Sequence, residues 1–115
     1  MKIAVIIGVS KYNNLNDLPA CYNDAVAMNR LLDHTANYDR TVLIAEKTNA
    51  EDIKLNLRRI ADSLEGYTVE EFFFYFSGHG TQDESDLFLC CSNYISSKKS
   101  TTSLSNTEVD EIIRS

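Results

Sequence analysis

His79 stands where this chain could do chemistry. It lies between Gly78 and Gly80, directly after Phe72-Phe73-Phe74-Tyr75-Phe76-Ser77, in which five aromatic residues are closed by a serine. An imidazole can take a proton from a nucleophile and return it to a leaving group near neutral pH, and flanking glycines let a substrate approach the backbone. Cysteine is a matching nucleophile, and the chain has three, Cys21, Cys90 and Cys91. Asp83 and Asp86 follow closely enough to raise metal-assisted hydrolysis, although one histidine with no second one nearby is poor zinc spacing. The competing reading is a histidine that merely caps a strand. These residues alone leave that choice open.

The elements that must position His79 follow from hydrophobic patterning. The aromatic run lacks polar alternation, which predicts a strand buried on both faces at the centre of a mostly parallel sheet. In such sheets ligands gather at the carboxyl ends of the strands, the edge that His79 would occupy. Ile3 to Ile7, ending at Gly8, predicts a second interior strand, and Gly8 to Asn14 a polar loop on the same edge. Pro19 opens a helix to about His34, with Leu18, Cys21, Ala25, Met28 and Leu32 at helical spacing. Thr41 to Ala45 predicts a short strand. Thr48-Asn49-Ala50-Glu51 has the spacing of a capping box. The helix it opens carries Ile53, Leu57, Ile60 and Leu64 as an apolar stripe, with Lys54, Arg58, Arg59 and Asp62 on a solvated face and Gly66 as the stop.

After a polar turn from Thr81 to Ser85, the segment Asp86 to Cys91 is expected to re-enter the sheet. Cys90 and Cys91 would then point to opposite faces, as buried thiols rather than as a nucleophile or a ligand pair. Ser92 to Ser103 reads as a solvated, mobile loop with Lys98-Lys99 as an exposed processing site. Ser105-Asn106-Thr107-Glu108 caps a last helix, with Leu104 and Val109 placed as a hydrophobic staple. The alternation of strands and helices predicts an α/β fold, a mostly parallel sheet with helices on both faces, unfinished where the chain stops in a fresh helix.

Composition sets the outer limits. The 115 residues suit one domain, and 43% hydrophobic with 24% charged residues is ordinary globular composition. A net charge of -6 without a Lys/Arg stripe argues against nucleic acid as a partner. No apolar run reaches the length of a membrane span, and the N-terminus lacks the features of a signal peptide. An odd number of cysteines without repeated spacing suggests reduced thiols and a cytoplasmic location.

Ile3-Ala4-Val5-Ile6-Ile7-Gly8 followed by Ser10-Lys11-Tyr12, then Ala20-Cys21-Tyr22-Asn23-Asp24-Ala25, then Phe74-Tyr75-Phe76-Ser77-Gly78-His79-Gly80 resembles the caspase-like cysteine peptidases. Metacaspases and their bacterial relatives are the nearest branch. The resemblance spans nearly the whole chain. It implies the three-layer caspase–hemoglobinase fold, with residues 1–115 as the N-terminal, histidine-bearing part of the peptidase domain. It further implies that His79 is the catalytic histidine and that the Gly80 N–H helps form an oxyanion hole.

Cys21, Asp24 and Ser77 match positions that line the S1 pocket of metacaspases. A carboxylate there implies a protein or peptide substrate with Arg or Lys at P1. The competing reading of Asp24 is a structural residue bonding the loop from Gly8 to Asn14. In the family the nucleophile follows the next strand, in an Asp-x-Cys motif that none of the three cysteines matches. The thiol is therefore expected beyond this chain, on a C-terminal segment or companion fragment, and residues 1–115 alone are expected to be inactive. If that motif is absent, the protein is an interaction module of the same fold. Asp83, Glu84 and Asp86 are too few for a calcium cage, so neither metal nor cofactor is expected.

Overall fold

Five consecutive residues of β1 (Lys2–Gly8), Ile3 to Ile7, have no exposed surface, and their burial organises the molecule. Each such Ile or Val contributes about 1.5–3 kcal/mol relative to an exposed one. The structure, a computed structural model, describes residues 1–35 and 37–114. β1 pairs in parallel with β2 (Arg40–Ile44) on one side and with β3 (Glu71–Ser77) on the other. On one face Ala4 and Ile6 meet Ala25, Met28 and Leu32 of α1 (Pro19–His34). On the other, Ile3, Val5 and Ile7 share a larger cluster with Ile53, Leu57 and Ile60 of α2 (Ala50–Ser63). This is the expected mostly parallel α/β sheet with helices on both faces.

The central strand, however, is β1 and not the aromatic β3. Within the described residues β3 has a partner on one side only, and Phe72 to Phe76 are half-buried. Phe72, Phe74 and Phe76 join the α2 face while Phe73 and Tyr75 join the α1 face. The register sets Gly8 opposite Ser77, so the loops after β1 and β3 start side by side. Gly8 is required there by space, because a Cβ would lie 2.6 Å from Ala25 Cβ and 2.8 Å from the Cys21 carbonyl oxygen.

Asp86 to Cys91 does not re-enter this sheet. β4 (Gly80–Gln82), β5 (Leu87–Cys90) and β6 (Ser103–Ser105) form a separate antiparallel sheet, in the order given. The cause is the short turn between β4 and β5, which folds the chain back at once. Asp83 Oδ1 accepts from the Ser85 hydroxyl at 2.7 Å and from the Ser85 and Asp86 N–H groups at 2.8 and 3.0 Å. These bonds, the Ser85 hydroxyl first, hold the Asp83 carboxyl down at about 2.

Ser92 to Ser103 is also folded rather than a mobile loop. It contains a 3₁₀ turn (Ser96–Lys98) and α3 (Lys99–Thr102), and it buries Tyr94 and Thr102. The Thr102 hydroxyl donates to the Lys98 carbonyl at 2.8 Å and accepts from the Ile95 N–H at 3.0 Å, so polar residues satisfy one another locally. Lys99 is tied to Asp83 at 3.4 Å and lies over the Phe88 ring, so cleavage at Lys98-Lys99 would require α3 to unfold.

The first helix cap is shifted by one residue from the expected box. Asn49 is the N-cap, accepting from the Asp52 N–H at 2.9 Å and donating to the Asp52 carboxylate at 2.7 Å. The second cap stands as expected, with Ser105 Oγ accepting from the Glu108 N–H at 3.0 Å at the start of α4 (Asn106–Arg114). Because α4 packs on α2, Lys54 is not on a solvated face; it pairs with Glu108 at 3.1 Å, with only 13% of its side chain exposed.

Candidate active site

His79 sits at the carboxyl edge of the parallel sheet, two residues beyond the end of β3, and is half-buried. Its position is fixed from three directions. The His79 N–H donates to the Tyr12 hydroxyl at 2.9 Å, and the His79 carbonyl accepts from the Cys90 N–H at 2.9 Å. The Tyr12 ring meets the imidazole edge to face, with centroids 4.7 Å apart and planes at 70°. Nε2 lies 2.8 Å from the Asn16 carbonyl oxygen.

A carbonyl can only accept, so Nε2 carries the proton and Nδ1 is the basic nitrogen of the neutral ring. Nδ1 has no hydrogen-bond partner among the described residues. It is thus available to a thiol, while the other nitrogen is anchored by main chain.

Gly80 opens β4 and faces Leu89 of β5. Hydrogen-bonded and non-hydrogen-bonded pairs alternate along an antiparallel ladder, and the Cys90 N–H to His79 carbonyl bond assigns the neighbouring Gly80–Leu89 pair to the second kind. The Gly80 N–H therefore points away from β5. A Cβ on Gly80 would meet only the Phe88 carbonyl oxygen at 3.7 Å, an ordinary contact, so space within the fold does not demand this glycine. Gly78 differs, because a Cβ there would lie 2.6 Å from the Tyr12 hydroxyl.

Ser77 and Cys21 lie against Gly8, and Asp24 is placed only by its position on α1. Ser77 ends β3 as the partner of Gly8, and its carbonyl accepts from the Val9 N–H at 2.9 Å. Cys21 lies on the first turn of α1, with its carbonyl against Gly8. Asp24 follows three residues later, exposed, and its carboxylate has no hydrogen bond or ion pair among the described residues. The structural role weighed for Asp24 belongs to a different carboxylate: Asp17 Oδ1 accepts from the Tyr12 N–H at 2.9 Å and ties the loop after β1.

Sequence reasoning passed over Asn16 and Asp17, and it quoted Tyr12 only within the Ser10-Lys11-Tyr12 motif of the resemblance, with no role assigned to it. A separate cleft of about 720 Å³ at the carboxyl edge of β1 and β2 is lined by Ser10, Lys11, Tyr22 and Lys47 among others, and by none of the five residues named for the site.

Cys90 and Cys91 are 2% and 0% exposed. Burial pushes both thiols up, that of Cys91 to about 12, so neither supplies thiolate at neutral pH. Asp83 and Asp86 are likewise unsuited to act with His79, since Asp83 is held by Ser85 and Lys99 and Asp86 by the N–H groups of Leu87 and Thr107. A thiol reagent added to the native chain is expected to label Cys21 alone, with Cys90 and Cys91 reacting only after denaturation. Peptide mapping of the labelled protein checks this, and native labelling of Cys90 or Cys91 would contradict the burial described.

A parallel sheet layered between helices, with an oriented histidine at its carboxyl edge, is the α/β arrangement that the resemblance to caspase-like peptidases implies. The chain belongs to the caspase-domain family of peptidases, C14, whose family model matches residues 1–115. It is similar to metacaspase-9 of Arabidopsis thaliana, with 33% identity over 89 residues, which is 70% of this chain and 27% of that relative. No described helix is long and apolar enough to cross a membrane.

Proposed function

We propose that this chain is the N-terminal, histidine-bearing part of a cysteine endopeptidase that cleaves protein or peptide substrates after Arg or Lys. The observation that carries the proposal is the orientation of His79, with Nε2 held by the Asn16 carbonyl and Nδ1 left unbonded at the open sheet edge. In this reading Nδ1 takes the thiol proton, the thiolate attacks the scissile carbonyl, and the imidazolium then protonates the leaving amine. The Gly80 N–H, directed away from β5, stabilises the oxyanion.

The free side of β3, next to His79, suits a further strand that brings the thiol, because Cys90 and Cys91 are buried and Cys21 lies on a helix. The chain spans 27% of the length of the relative it matches, so the thiol and the remaining walls of the pocket are assigned to a segment outside residues 1–115. The Asp24 carboxylate, one helical turn after Cys21 on α1, exposed and without a bond among the described residues, supports a basic P1 residue. A thiolate peptidase of this kind suits the reducing cytoplasm.

The test compares residues 1–115 with the longer protein that contains them, on peptides differing only at P1. Hydrolysis after Arg and Lys, blocked by iodoacetamide and confined to the longer protein, is the expected result. Turnover by residues 1–115 alone would mean that the nucleophile has been misassigned. A longer protein that binds but never hydrolyses peptides would identify an interaction module instead.

A further inference from the structure

We propose that Tyr12 is a positioning residue for His79, its hydroxyl acting as an inserted bridge in the β4–β5 ladder that turns the imidazole toward Asn16. In a closely spaced antiparallel pair the two residues exchange two direct backbone bonds. At His79 and Cys90 only one is direct, from the Cys90 N–H to the His79 carbonyl at 2.9 Å. The other runs through a phenol: the His79 N–H donates to Tyr12 Oη at 2.9 Å, and Tyr12 Oη donates to the Cys90 carbonyl at 2.9 Å. The oxygen thus occupies the place of a ladder bond and holds the strand ends apart on one side only. That asymmetry carries His79 away from β5 and toward the loop after β1.

The same residue fixes the other end of the contact. The Tyr12 N–H donates to Asp17 Oδ1 at 2.9 Å, which pins the loop one residue from the carbonyl that accepts from Nε2. One side chain and its own N–H therefore set both the imidazole and its acceptor. The ring, packed edge to face on His79, closes the remaining direction. Gly78 fits this arrangement, since any Cβ would strike the hydroxyl at 2.6 Å. Burial, the leading cause, pushes the Tyr12 phenol above its ordinary range, so the group keeps the proton it donates to Cys90. A purely packing aromatic at this position would need no hydroxyl, whereas Tyr12 is only 7% exposed and its Oη satisfies two main-chain groups.

The kinetic consequence rests on the cysteine-peptidase reading; the geometric one does not. Tyr12→Phe keeps the ring and removes the bridge. In residues 1–115, nuclear magnetic resonance of the wild type should show a His79 ring Nε2–H proton protected from solvent exchange and a protected His79 amide. Both protections should be lost in Tyr12→Phe, while amides of β1 and α2 keep theirs. Gly78→Ala, which displaces the hydroxyl from the opposite side with the phenol intact, should reproduce the loss.

In the longer peptidase, Tyr12→Phe should lower kcat about 10- to 100-fold, as expected for a slightly misplaced catalytic group, with KM nearly unchanged and the fraction of titratable thiol preserved. A wild-type ring proton that exchanges freely would overturn the proposal without any variant, and so would a ring proton that stays protected in Tyr12→Phe. If the longer protein has no thiol-dependent activity, the peptidase reading falls and the ring-proton comparison still decides the role of Tyr12.

Discussion

On the proposed peptidase reading, replacing His79 with alanine in a longer protein that contains this chain is expected to lower kcat by about 10²- to 10⁴-fold, the range that a positioned general acid–base contributes. The fold should survive. The bonds of the His79 N–H to Tyr12 and of its carbonyl to the Cys90 N–H use main chain that alanine also possesses, and the lost ring contacts are the Asn16 bond and the edge of Tyr12 on a half-buried side chain. The melting temperature should therefore change little while turnover collapses, and KM should move far less than kcat. Measuring kcat, KM and melting temperature on the same preparation checks all three. Activity retained within tenfold would remove His79 from the mechanism.

Asp24→Ala is expected to act on specificity. On the proposed reading, this exposed carboxylate on α1, without a bond among the described residues, gains a partner when a P1 cation arrives and the bound substrate excludes water. A charge-assisted hydrogen bond of that kind contributes about 1.5–3 kcal/mol, and 1.4 kcal/mol is a tenfold change, so kcat/KM for a P1-Arg substrate should fall by at least about tenfold. Because Asp24 holds no bond within the described residues, the melting temperature should hardly move. The ratio of Arg to Ala cleavage at P1, measured in wild type and variant, is the decisive quantity. An unchanged ratio would mean that another group meets the P1 cation.

What the sequence by itself determined is local in origin. The unbroken apolar run from Ile3 to Ile7, the capping residues before α4 and the glycine after α2 act through neighbours a few positions away. The strands at the sheet core, three of the helices and the placement of His79 at a carboxyl edge were legible from them. The placing of the loops after β1 and β3 on one edge followed from the alternation of strands and helices, whereas the register that sets Gly8 opposite Ser77 is a property of the folded sheet. The tertiary structure alone decided matters that depend on distant partners. Two apolar runs look alike in sequence, and only pairing made β1 central and left β3, among the described residues, open on one side. Ser92 to Ser103 has the composition of a loop, yet it folds because its hydroxyls bond its own main chain while Tyr94 reaches the core. The site shows the same limit most clearly. The Tyr12 hydroxyl bridges residues 67 and 78 positions away, so its motif gave no sign of that role, and Asn16 acts through a carbonyl that every residue possesses.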